Sequence, residues 1–267
     1  MRSLSNDALL LAAERLGVQT LPRVLAAGPQ QDSYTAWAAA RDQALIALQA
    51  DGVLDDHGEV DSELASALFT LAHPERELVA RIYPGTTVTR VSIAQSAGHH
   101  AVATRIGDRY EIGLLWSDGT PDALATPLLT ALGACDPADV PAFSASAGEL
   151  AARLSAAEDT SGYVDALHAL GLRGRDATQL GSALGSCHGF AEIVAYAHTD
   201  GVTVRAPGTV AVYDTRRGRI VSAPMVSPDQ QVWTTLTAGS DHRVTQALAA
   251  LFEGLPGGRW LTSSHGA

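Results

Sequence analysis

Between Gly189 and Leu255 short apolar runs alternate with polar turn clusters, and that pattern organises the reading of the whole chain. FAEIVAYAHT is followed by GTVAVYDTRRGRIVSAP and then QVWTTLT. Val210, Val212, Ile220 and Val221 flank the turn cluster Asp214–Gly218, which predicts a hairpin. Ser227–Pro228–Asp229 breaks the chain again before Val232–Trp233. Connections this short cannot make parallel crossovers, so the four strands are expected to be antiparallel. Ser240 then offers an N-cap, Asp241 sits in the positive first turn, and Val244, Leu248 and Leu251 recur at helical spacing. The predicted unit is a four-stranded meander closed by a helix.

The same unit is read once before. Glu77, Leu78, Val79 and Ala80 match Glu192, Ile193, Val194 and Ala195; Val91 and Ile93 match Val210 and Val212. Gly52, Gly98 and Gly119 answer Gly171, Gly218 and Gly239 at almost one offset. An internal duplication is therefore expected, with halves at about 1–135 and 142–260, longer than any solenoid repeat.

Around the meanders the spacing predicts helices. Ser5 caps a helix to residue 16, and LPRVLAAG (21–28) reads as a short extended segment. A helix over 32–50 sets Trp37, Ala40, Ala44, Leu45 and Leu48 along one stripe. Asp61 caps a helix over 62–72, and the first meander covers 75–117. Its closing helix spans 120–133, with a restart expected at Thr126–Pro127. Asp136 to Pro141 reads as a linker, followed by helices over 146–158, 161–171 and 175–187. The tail from residue 261 is expected to fray. The fold class is α+β: antiparallel meanders flanked by two helical bundles with quasi-twofold symmetry, in a single domain over 1–267.

Composition narrows the function. With 46% apolar residues the chain is globular, and no apolar run approaches a membrane span. A net charge of −11 argues against nucleic acid or an anionic membrane as partner. All 18 basic residues are arginine, which excludes a Walker-type phosphate loop, a Schiff-base lysine and a Ser-x-x-Lys nucleophile. Two cysteines, Cys135 after a helix and Cys187 late in another, suit a reducing compartment, so a cytoplasmic location is expected.

Catalytic chemistry is hard to find. His99 and His100 are strand neighbours that point to opposite faces and cannot chelate together. The acidic cluster from Asp55 to Asp61 lacks the glycine and glutamate placement of a calcium loop. Cys187 and His188 are adjacent in sequence, whereas a catalytic pair meets from separate segments. Asp214-Thr-Arg-Arg-Gly-Arg219 reads as a solvated hairpin, with anion binding as the alternative. No catalytic residue, metal or cofactor is assigned.

Several runs go further than a fold class. AEIVAYAHTDG, GTVAVYDTRRGRIVSAP, SPDQQVWTTLTAGSDHRVTQAL and LPGGRW, in this order, resemble the closing half of the EspG family. The front half agrees, from LPRVLAA through ALQADGVLD and GEVDSELASAL to HPERELVAR. The family comprises cytosolic chaperones of type VII (ESX) secretion in actinobacteria. The resemblance implies a protein without catalysis that holds the PPE subunit of a PE–PPE heterodimer at its apolar tip. It also implies a binding surface made of the sheet and the carboxy-terminal helical bundle. Two departures stand out: the short Pro84–Gly85–Thr86 loop where many members carry an insertion, and Arg23 where an aromatic is common.

Exposed apolar tips aggregate, so such a chaperone needs a concave apolar surface with a polar rim. The expected contact residues lie on one face of the second meander: Glu192 and Tyr196 on its first strand, Tyr213 and Met225 on the hairpin, Trp233 and Thr235 on the last strand. The free protein is expected as a monomer or weak homodimer. A different class stays open: a duplicated small-molecule binder or enzyme with its pocket at the pseudo-twofold axis. That reading requires groups such as His99, Asp214 or Cys187 to converge in one apolar cleft.

Overall fold

A computed structural model describes residues 1–261 of the chain. β1 (Arg2–Ser5) runs directly into α1 (Asn6–Arg15), where Ser5 Oγ accepts from the Ala8 amide. A 3-10 turn (Arg23–Leu25), α2 (Tyr34–Ala50) and α3 (Ser62–Ala72) follow. The first four-strand run is β2 (Arg76–Tyr83), β3 (Thr89–Ser96), β4 (His99–Ile106) and β5 (Arg109–Leu114), closed by α4 (Pro121–Leu132). A second succession opens with β6 (Phe143–Ser146), α5 (Ala147–Ser155), α6 (Thr160–Ala169) and α7 (Gly174–Leu184). β7 (Cys187–Thr199), β8 (Val202–Arg205), β9 (Val210–Thr215), β10 (Gly218–Val226), β11 (Val232–Ala238) and α8 (Asp241–Glu253) complete it.

All strands join one sheet in the order β1-β5-β4-β3-β2-β7-β9-β10-β11-β6, with β8 beside the far end of β7. Every pairing is antiparallel. The central pair is β2 with β7, and Val79 stands opposite Val194. The two segments that match in sequence are thus partners: Glu77 faces Tyr196, and Glu192 faces Arg81.

Period-two alternation sends Ala80, Ile82, Ile193, Ala195, Val210 and Val212 to one face. There they bury against Leu124 and Leu128 of α4 and Val244, Leu248 and Leu251 of α8. The opposite face is covered at its two ends. Leu9, Leu48, Leu64 and Leu68 of α1–α3 pack on Ala101, Ala103 and Ile112. Leu167, Leu180 and Leu184 of α6 and α7 pack on Ile220 and Leu236. Each such leucine contributes about 1.5–3 kcal/mol of burial. The middle of this face lies between the two bundles.

Several expectations need correction. The edge strands β1 and β6 are each four residues, too short to show an alternation. Residues 21–28 hold a 3-10 turn, because Ala26 in the left-handed region (φ 49°) folds the chain back instead of extending it. Of the α2 stripe, Ala44 and Leu48 alone are buried, since the first turns of that helix extend past the bundle. α4 runs through Pro127 without restarting, held by buried Leu124, Ala125 and Leu128. Cys187 opens β7 instead of ending a helix, because the glycines at 185 and 189 close α7 early and bulge the strand. The linker at 136–141 is packed: Ala138 is buried and its amide donates to Arg219 O at 2.9 Å.

Trp260 is 2% exposed, sits tilted against the Phe252 ring with centres 5.0 Å apart, and donates Nε1–H to His100 Nε2 at 3.1 Å. The frayed tail expected beyond it lies almost entirely outside the described residues. Accepting at Nε2 requires a neutral His100. Burial holds this imidazole below its ordinary value, with His99 adding to the shift and Asp118 opposing it. The unfolded chain therefore binds the proton first, and stability falls as pH drops through about 6.5 toward the folded value. Urea midpoints measured down this range should decline in the wild type, and His100→Gln should remove that part of the decline. Equal slopes for both proteins would refute it.

Candidate functional site

The register resolves the six candidate residues into two groups. Phe190 pairs with Tyr213, and Tyr213 with Ile220, so Glu192, Tyr196 and Tyr213 share the face that carries the bundles. Met225 pairs with Trp233, and Ala223 with Thr235, in odd steps from Ile220. Met225, Trp233 and Thr235 therefore lie on the opposite face, on the side of α4 and α8. The expectation of a single face is corrected by strand parity. Tyr213 packs against the α5–α7 core, and burial there, followed by Cys187, Glu192 and Tyr163, pushes its phenol up to about 12. Met225 is 57% exposed, Trp233 is half-buried, and Thr235 shares a hydroxyl bond with Ser144 at 2.8 Å.

In the Asp214–Arg219 motif Arg216 and Arg217 are exposed, as a solvated hairpin requires, but Arg219 is not. Arg219 is 1% exposed; its Nε and Nη2 donate to the two Asp214 carboxylate oxygens at 2.7 and 3.1 Å. Nη2 also donates to Gly133 O at 3.0 Å, at the carbonyl end of α4, where a cation is favoured. Thr215 Oγ1 donates to Gly218 O and accepts from the Arg217 amide, closing the turn. A Cβ on Gly218 would fall 2.7 Å from Asp136 O, and this residue sits at φ +108°. The motif is a bolt that ties the hairpin to α4 and to the segment after it.

On the bundle-bearing face a cleft of about 810 Å³ opens over the central strands. Its floor is β2 and β7: Glu77 beside Tyr196, Val79 beside Val194, Arg81 beside Glu192. Tyr83 and Phe190 stack at the end of this row, ring centres 4.4 Å apart. Leu21–Val24 and the end of α3 form one wall; Thr203, Arg205 and Thr209 form the other. The sequence reading found Glu192 and Tyr196 but missed Val79, Arg81 and Val194. Their signal was the alternation with Ala80 and Ile193, which needed the β2–β7 pairing to become a surface.

The polar groups of the cleft are tied to one another. Glu77 accepts from Ser92 Oγ at 3.1 Å and lies 3.5 Å from His198 Nε2, while His198 Nδ1 meets Thr203 Oγ1 at 3.0 Å. Burial raises the Glu77 carboxyl above its ordinary value against the opposing pull of Ser92 and His198. The serine thus faces a carboxylate instead of a histidine base, so the arrangement is a strut across β2, β3, β7 and β8. None of His99, Asp214 or Cys187 lines the cleft. Desolvation pushes both thiols above their ordinary value, the reverse of an activated nucleophile. Among the described residues no three His, Cys, Asp or Glu side chains are grouped to hold a metal ion.

An antiparallel sheet with helical bundles at both ends of one face and an open middle with two valines on its floor is the α+β architecture that frames the cleft. A model of the EspG family matches residues 5–250, and the chain belongs to that family. It is 30% identical over 267 residues to the ESX-1 secretion-associated protein EspG1 of Mycobacterium tuberculosis, covering 97% of this chain and 89% of that one. It is 26% identical over 261 residues to the ESX-3 secretion-associated protein EspG3 of Mycolicibacterium smegmatis, covering 96% and 88%. Among solved structures, the type VII secretion chaperone EspG5 of M. tuberculosis, in complex with a PE25–PPE41 dimer, superposes with a TM-score of 0.81. That match covers 98% of this chain and 99% of that one at 17% identity, a likeness of fold.

Proposed function

We propose that this chain is a cytoplasmic chaperone of type VII secretion without catalytic activity, which binds the PPE subunit of a PE–PPE heterodimer and shields its apolar tip. The observation that carries the reading is the central cleft, with Val79 and Val194 at the middle of its floor, Glu77, Arg81 and Glu192 on either side of them, and aromatics at one end. This is the composition of a binding surface: apolar centre, polar margin. The EspG5 relative, solved with a PE25–PPE41 dimer, has the same fold. No helix among the described residues is long and apolar enough to cross a membrane.

Co-expression with the PE–PPE pairs of its source genome should yield an equimolar ternary complex on gel filtration. Failure with every such pair would overturn the proposal. Of the six candidate contacts, we place Glu192 and Tyr196 at the client. Tyr196→Ala should weaken the complex by about 2 kcal/mol, the scale of an interface anchor. Trp233→Ala should leave titration-calorimetry affinity within about twofold, because that ring lies on the other face. The reverse order of effects would move the site.

A further inference from the structure

Three arginines stand side by side on the bundle-bearing face: Arg81 pairs with Arg90, and Arg90 with Arg105. Like charges directly across neighbouring strands repel, so each guanidinium needs a compensating acceptor. Two have one. Arg90 Nη1 donates to Val24 O at 3.3 Å, and Arg105 Nη1 donates to Leu25 O and Ala26 O at 2.8 and 2.7 Å, with Asp108 3.8 Å away. These bonds hold the 3-10 turn on the sheet and bring its first residue, Arg23, to the wall of the cleft. Arg81 is different. It is exposed on the cleft floor and makes no hydrogen bond or ion pair among the described residues, although Glu192 is its cross-strand neighbour.

The balance of charge around this point is inverted relative to the whole chain. Acidic residues outnumber arginines by 29 to 18 in the sequence. In the cleft, Arg23, Arg81 and Arg205 face Glu192 and a Glu77 already engaged by Ser92 and His198. Complementarity of this kind selects and orients a partner. We infer that the segment seated in the cleft carries an acidic side chain, received by Arg81 beside the apolar Val79–Val194 floor. A free oxyanion fits less well, because it would meet the two valines where a cage of donors is needed.

This rests on the proposed client, and the test separates the two. Affinity for the PE–PPE pair that co-purifies is measured by biolayer interferometry at low and high salt. Arg81→Glu should weaken binding by about thirtyfold, Arg81→Ala by about tenfold with a shallower salt dependence, and Glu192→Gln should tighten it a few-fold. Acidic residues of the client tip are then changed singly to arginine, and one of them should restore binding to Arg81→Glu. Arg81 is exposed, so unchanged melting temperatures will confirm that the variants fold. A wild-type complex that Arg81→Glu leaves within about twofold, or that no client charge exchange rescues, overturns this inference and leaves the chaperone reading standing. No complex with any pair overturns both.

Discussion

Replacing Arg219 with alanine should destabilise the protein by about 3–5 kcal/mol, the cost of removing one partner from a buried ion pair. The size follows from what Arg219 touches. Its guanidinium neutralises Asp214 through two bonds and caps the carbonyl end of α4 at Gly133. Its main chain accepts the amides of Ala138 and Gly239, at 2.9 and 2.7 Å, while its own amide donates to Asp136 O at 2.7 Å. The alanine variant keeps those backbone bonds but leaves Asp214 and the α4 carbonyls without their cation. For a chain of this length the melting temperature should fall by at least about 6 °C. Asp214→Asn should cost less, and the double variant less than the sum of the two, because both substitutions break one interaction. Urea denaturation followed by tryptophan fluorescence reads all three. A loss under about 1 kcal/mol for Arg219→Ala would refute the role of the bolt.

The same residue shows what a sequence can and cannot disclose. Asp214-Thr-Arg-Arg-Gly-Arg219 was legible as a hairpin because turn residues act locally: Thr215 and Gly218 close it among themselves. Its burial was not legible, since beside the local Asp214 carboxylate its other acceptors are the Leu132 and Gly133 carbonyls, more than 80 positions away. Helix starts were readable for the same local reason. Ser5, Asp61 and Ser240 each cap with their own side chain, as expected from residue type alone. β1 and β6 escaped notice because four residues at a sheet edge owe their conformation to the partner strand, not to their own pattern.

The candidate site was half legible. Alternation along β7 correctly set Glu192 and Tyr196 on one face. Carrying that parity across two hairpins to Met225 and Trp233 required the register of each turn, and a one-residue difference reverses the face. The two-residue turn at Arg216–Arg217 sets Tyr213 opposite Ile220, and Met225, five positions on, points the other way. The cleft itself arises from the joining of β2 to β7. Each bundle covers its own meander; the first reaches the seam at Val79 and leaves the facing Val194 to the cleft. A surface produced by two segments 115 positions apart (Val79 and Val194) has no signature in either segment alone.

Val194→Asp should abolish client binding while leaving the fold intact. Val194 is half-buried at the middle of the cleft floor, with open space above it. In the free protein an aspartate there remains hydrated, and the cost is the β-propensity difference, within about 1 kcal/mol. In the complex the apolar tip would desolvate that carboxylate, at a penalty of several kcal/mol. Pairing with nearby Arg81 would lower the penalty and remove the arginine from the client, so either course weakens binding. A loss of at least about 3 kcal/mol, more than a hundredfold, is expected by titration calorimetry, with an unchanged circular dichroism spectrum. Met225→Asp is the matched control, the same charge on an exposed side chain of the opposite face. It should bind within about twofold of wild type. If Met225→Asp breaks the complex and Val194→Asp does not, the client sits on the far face around Met225 and Trp233, and the central cleft is not the site.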